Sequence, residues 1–156
     1  MKILIATDGS EFSRNAVEES CKFISTGKHT DIKIISAVER VMPMAAEPFG
    51  ASNEYYVQVE SDLRKQAQEA VAEAEKIIND KLSDENIFVS TEVFTGNVKQ
   101  GIVDEAKKFE ADLIVVGSHG YGFFERMLLG SISSYVVHHA PCSVLVVRKN
   151  DESPDN

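Results

Sequence analysis

The sequence predicts an α/β domain, an open sheet of five parallel strands with helices on both faces. Short apolar, β-branched runs alternate with amphipathic segments along the whole chain, as repeated β-α units require. Most of these runs are apolar on successive residues, the pattern of strands covered on both sides. A length of 156 residues suits one domain, large enough to bury roughly 70% of the surface its unfolded chain exposes.

"KILIAT" at 2–7 reads as the first strand, closed by the turn signal "DGS". Ser10 or Ser13 caps the next helix, in which Ala16, Val17, Ser20, Cys21 and Ile24 make one face before an end near Gly27. "DIKIISAV" at 31–38 is the second strand. "ERVMPMAAEPFGASNEYY" holds two of the four prolines and breaks both periodicities, so residues 39–54 are expected to form a long surface loop. Such a loop suits a lid, and equally a tolerated insertion.

From about 55 to 82, Val59, Leu63, Ala67, Ala70, Val71, Ala74, Ile77 and Ile78 recur at helical spacing. "NIFVSTEVFTG" is strand three, "NVKQGIVDEAKKFE" a helix capped by Asn97, and "ADLIVVG" strand four. After a glycine-rich stretch, "SISSYVVHHA" is a short helix stopped by Pro141, and "CSVLVVRK" is strand five. The domain is thus expected to occupy 1–149, with 150–156 a short, frayed acidic tail.

The totals exclude several classes. Sixteen Lys and Arg against 25 Asp and Glu give a net charge of -9, which repels phosphate backbones, so nucleic acid is not an expected partner. No apolar run approaches the roughly 20 residues that cross a bilayer, and "MKILIATDGS" lacks the cleavage pattern of a secretory leader. Cys21 and Cys142 are far apart, with no cluster of metal ligands near either. Reduced thiols in a cytoplasmic protein are expected. His138 and His139 diverge by about 100° on a helix, which suits a contact with the helix C-terminus better than a shared metal.

In parallel sheets of this kind the ligand crevice lies beyond the carboxyl ends of the strands, where strand order reverses. If strand one is central and strand four lies on its other side, the residues leaving those ends are Thr7, Asp8 and Gly9, and Gly117 to Gly120. The second group opens "GSHGYGFFERMLLGS". Gly117, Gly120 and Gly122 read G-x-x-G-x-G, which fails the dinucleotide fingerprint on order. Gly117 and Gly122 have P-loop spacing, but Phe123 and Phe124 stand where that loop needs Lys and Ser or Thr. The end of strand three lacks the acceptor Asp of a phosphoacceptor receiver domain.

What remains is G-x2-G-x9-G-S, at Gly117, Gly120, Gly130 and Ser131. Gly117 and Gly120 let the backbone approach a ribose or phosphate without a Cβ between. Gly130 and Ser131 open a helix, whose amide groups and dipole favour an anion. The apolar members of the excursion between them, Phe123, Phe124, Met127, Leu128 and Leu129, would pack it down.

Together with "ATDGS" near the start and "HAPCSVLVV" near the end, this spacing resembles the universal stress protein family in its ATP-binding branch. The resemblance runs from Lys2 to about Arg148. It implies a Rossmann-like fold of strand order 3-2-1-4-5, a bound adenine nucleotide, and a homodimer through strand 143–148. ATP, with or without Mg²⁺, is the implied ligand. By the same match Asp8 reaches the ribose, Ala6 and Thr7 line the adenine side, and Val38 borders the adenine. Gly117, His119 and Gly120 meet ribose and phosphates, while Gly130, Ser131, Ile132 and Ser133 supply donors to the phosphate chain.

Three functions fit this reading. The first is a nucleotide-dependent stress-response or regulatory protein. The second is an enzyme with slow ATP hydrolysis or autophosphorylation, for which no catalytic residue is singled out. The third is an interaction module with a vestigial pocket.

Overall fold

Each apolar run becomes a strand in the computed structural model, which describes residues 1–24, 28–40, 53–83, 86–120 and 129–148. In chain order the elements are β1 (Lys2–Ala6), α1 (Glu11–Ser20), β2 (Thr30–Val38), α2 (Asn53–Lys81), β3 (Ile87–Thr95), α3 (Val98–Phe109), β4 (Leu113–Gly117), α4 (Ser131–His139) and β5 (Ser143–Val147). The strands form one parallel sheet in the order β3-β2-β1-β4-β5. β1 is its centre, with Ile5 facing Ile34 of β2 on one side and Val115 of β4 on the other.

Side chains alternate across a strand, and the two sets meet different helices. Ile3, Ile5, Ile32, Ile34 and Val115 pack with Ala16 and Val17 of α1 and Val71, Ala74 and Ile78 of α2. Leu4, Ile35, Ile114 and Val116 pack with Ile102 and Ala106 of α3 and Val136 of α4. Most of these strand side chains are fully buried, each contributing about 1.5–3 kcal/mol of hydrophobic stabilisation. No helix among the described residues is long and apolar enough to cross a membrane.

Local chemistry sets the helix ends. Ser10 is the N-cap of α1, its Oγ accepting from the Ser13 amide at 3.3 Å. Asn97 caps α3 as its side chain promises, accepting from the Gln100 amide at 3.0 Å. α1 is shorter than its apolar face suggests. It ends at Ser20 and gives way to turns, in which the amides of Lys22 and Phe23 donate to the carbonyls of Glu19 and Ser20. Ile24 still reaches the core from these turns, so burial continues past the helix itself. Gly27, most of the expected 39–54 loop and the 150–156 tail lie outside the described residues.

α2 has two unlike halves. Ala67, Ala70, Val71, Ala74 and Ile78 are buried against the sheet, whereas from 54 to 66 every side chain is exposed except half-buried Tyr56 and Val59.

One charged cluster sits under α3. The Lys33 ammonium of β2 lies between the carboxylates of Glu92 on β3 and Glu105 on α3, 2.8 Å from the latter, and Lys108 also reaches Glu105 at 3.1 Å. Burial works against the charge on Lys33, but hydrogen bonds to Glu105 and Glu92 outweigh it and hold its pKa above the usual lysine value. Burial likewise opposes ionisation of Glu105, and the bonds from Lys33 and Lys108 outweigh it and lower that pKa.

Candidate functional site

The chain leaves β1 through Thr7, whose amide still donates to the Ile35 carbonyl at 2.9 Å and so extends the β1–β2 pairing. Gly9, at φ 79°, then turns the backbone into α1, a conformation that favours glycine. Thr7, Ser10 and Ser13 fix this turn. Thr7 Oγ1 donates to Ser13 Oγ at 3.0 Å, Ser13 Oγ donates to the Ser10 carbonyl at 3.0 Å, and the Gly9 amide donates to Thr7 Oγ1 at 3.2 Å. All three hydroxyl residues are buried. Asp8 is held by its own turn, Oδ1 accepting from the Ser10 amide at 2.9 Å.

β4 ends beside this turn. At Gly117 a Cβ would lie 2.9 Å from the backbone carbonyl atoms of Phe12, so the missing side chain makes room for α1. At Gly120 a Cβ would lie 2.5 Å from Asp8 Oδ2. These glycines therefore bring protein segments together as well as lining the cavity described below. His119 sits between them, with Nδ1 3.1 Å from Ser118 Oγ and its ring 5.5 Å from that of Phe12.

The return of the chain is pinned at the same point. The Gly130 amide and the Ser133 hydroxyl both donate to the Ser118 carbonyl, at 2.8 and 2.9 Å. Gly130 is the N-cap of α4 and brings no side-chain cap, so the first turn presents its amides with no capping oxygen from that residue. Leu129 is half-buried. The other apolar excursion residues, Phe123, Phe124, Met127 and Leu128, lie outside the described residues, as does Gly122.

Between these segments lies a cavity of about 340 Å³, within the roughly 300–1,000 Å³ of small-molecule sites. It opens at the carboxyl ends of β1 and β4, where strand order reverses. Ala6, Thr7, Asp8, Gly117, His119, Gly120, Gly130, Ser131, Ile132 and Ser133 all line it. Val38 does not. It is buried, and its carbonyl accepts from the Gly96 amide at 2.9 Å. The β2 residues at the cavity are Ile35, Ser36 and Ala37.

Ser13, Phe94, Val98, Ile102 and Val116 complete the lining, and the sequence marks none of them as a site residue. Val98 and Ile102 share a helix face at i, i+4 spacing, a readable signal. That this face meets the end of β3 depends on tertiary packing. The side formed by β2, β3 and α3 is apolar apart from Ser36, whereas the side formed by β1, β4 and α4 supplies hydroxyls, amides and the Asp8 carboxylate.

The remaining reactive groups lie elsewhere. Burial raises the pKa of both thiols, with nearby Asp112 adding to the effect at Cys142 and Lys81 opposing it at Cys21. His138 Nδ1 and His139 Nδ1 lie 2.7 and 2.8 Å from the carbonyls of Ser134 and Tyr135 in the preceding turn. Among the described residues no group of His, Cys, Asp and Glu is placed to hold a metal ion.

The model of the Universal stress protein family matches residues 1–148. The chain belongs to the universal stress protein family. A universal stress protein of Methanocaldococcus jannaschii is 34% identical over 149 residues, covering 95% of this chain and 82% of that protein. Two solved universal stress protein structures share the fold. One, from Arabidopsis thaliana with AMP bound, superposes with a TM-score of 0.66 at 20% identity, covering 100% of this chain and 97% of the other. The second, in complex with cAMP, gives 0.62 at 24% identity, covering 94% and 96%. The universal stress protein strand order 3-2-1-4-5 is the order observed here.

Proposed function

We propose that this universal stress protein binds an adenine nucleotide, ATP foremost, and acts as a nucleotide-dependent regulatory protein of the stress response. The observation that carries this reading is the two-sided cavity. An apolar slot formed by β2, β3 and α3 suits a base, and the start of α4 suits phosphates. Asp8 lies between the two regions, suited to accept hydrogen bonds from ribose hydroxyls. AMP and cAMP in the two solved family structures lend the same class of ligand.

In this reading Thr7 and Ala6 stand on the base side, Gly117, His119 and Gly120 at the sugar, and Gly130, Ser131, Ile132 and Ser133 at the phosphates. Mg²⁺ would arrive with the phosphates, and Asp8 is the carboxylate in the described lining that could meet its hydration shell. The described lining holds no Lys or Arg, so nothing there stands in for a P-loop lysine, and a regulatory role is favoured over rapid hydrolysis. The proposal places the protein in the cytoplasm as a homodimer paired along 143–148. β5 is a sheet edge whose Val144, Leu145 and Val146 remain half-buried, and edge pairing would cover it.

Calorimetric titration of nucleotide-stripped protein with ATP and AMP tests the reading. Sub-millimolar binding that Gly130→Asp abolishes is expected, because a carboxylate at the start of α4 repels phosphate. The absence of binding by the wild-type protein overturns it.

A further inference from the structure

Gly101 lies inside α3, where glycine is a poor helix former. Its place is explained by one neighbour. A Cβ built on Gly101 would lie 2.2 Å from Cε2 of Phe94 and 2.5 Å from Cζ, so the ring occupies the space that any other residue at 101 would fill. Phe94 is next to last in β3, and Val98 and Ile102 flank Gly101 on the same side of α3. All three of these apolar residues line the cavity, whereas Gly101 does not.

The ring thus packs against Gly101, and the same residue lines the cavity. A methyl group there can be relieved by moving the ring, since the atoms it meets are the far end of a side chain, and any such movement shifts a residue of the cavity wall. Rings stack face to face with planar bases in offset fashion, so a shift of the wall by a fraction of a methyl radius is felt by whatever lies against it.

We propose that Gly101 and Phe94 form a matched pair that sets the width of the apolar slot and thereby selects a purine over a smaller base. Gly101 is the positioning residue, acting through the ring, and Phe94 is the wall the base meets. The proposal rests on the nucleotide reading given above.

The test compares wild type, G101A, F94V and G101A/F94V in calorimetric titrations with AMP and UMP, alongside thermal melts and ligand-free crystal structures. G101A is expected to show the Phe94 ring displaced into the cavity and to lose about tenfold in AMP affinity. Its loss for UMP should be smaller, so that the AMP-to-UMP preference falls. In the double variant, where the ring is already gone, G101A should cost no further AMP affinity, so that G101A/F94V binds AMP as F94V does. A purely structural role for Gly101 would change the melting temperature and leave the base preference unmoved.

AMP binding by G101A equal to that of wild type, an unchanged AMP-to-UMP preference in G101A, or a double variant about tenfold weaker for AMP than F94V would each overturn the pairing. Should G101A fail to fold, F94V alone decides, because loss of the wall must lower the AMP-to-UMP preference and an unchanged preference overturns it. Wild type that binds neither AMP nor ATP overturns the nucleotide reading and this inference together. A failure confined to the variants overturns this inference alone.

Discussion

Gly120 stands so close to Asp8 that a Cβ on it would lie 2.5 Å from the carboxylate Oδ2. The two residues come from different strand ends, and their contact joins the β1 and β4 sides of the cavity. The atom met is the end of a short side chain, so Gly120→Ala would move the carboxylate rather than the backbone. Thermal stability should stay close to wild type. Adenine nucleotide affinity should fall about tenfold, the order expected when one hydrogen-bonding group loses its position. Paired melts and calorimetric titrations measure both.

Gly117 predicts the reverse. There the added Cβ meets backbone atoms of Phe12 and Ser13, at 2.9 to 3.0 Å, and α1 itself must shift. Gly117→Ala should cost about 1–3 kcal/mol, lowering the melting temperature by several degrees in a domain of this size. Urea unfolding at neutral pH gives the same quantity independently. A melting temperature equal to wild type would show that α1 is not seated on Gly117.

The cluster of Lys33, Glu92 and Glu105 gives stability a defined pH dependence. Because the folded pKa of Glu105 is lowered, its contribution is present above the ordinary carboxylate value of about 4.3. It is lost as pH falls through the lower folded value. The raised pKa of Lys33 works in the opposite direction. Its contribution is complete below about 10.4 and lost as pH rises through the higher folded value. Glu105→Gln should therefore cost about 1–3 kcal/mol at neutral pH and show a shallower acid limb than wild type. Urea unfolding from pH 3 to pH 7 records both effects.

The strands and their parallel arrangement were legible because a doubly covered sheet writes itself as successive apolar residues, in "KILIA" and "LIVVG" as in "SVLVV". Strand order needed the family resemblance, since periodicity says nothing about which strands are neighbours. At the cavity, residues that carry a local signature were found, the glycines and Asp8 above all. Val38 does not line the cavity, where Ile35, Ser36 and Ala37 of β2 stand instead, because the depth at which a strand meets its cavity is set by packing across the fold. Phe94 and Ser13 were missed because their relevance lies in what they meet across the fold. The seating of α1 on Gly117 was out of reach for the same reason, since it depends on where Phe12 lies in the fold.

The unequal halves of α2 mean that one continuous helix answers to two different forces. Beyond Ala67 the sheet holds it, so those amides should exchange with solvent only when the domain unfolds. From 54 to 66 its turns rest on intrinsic propensity and on local pairs such as Gln58 with Asp62, which stabilise by a few tenths of a kcal/mol each. Amide exchange measured along α2 should therefore drop sharply in protection on the N-terminal side of residue 67. About 20 Å of helix would be able to unwind and re-form while the sheet and its cavity stay intact.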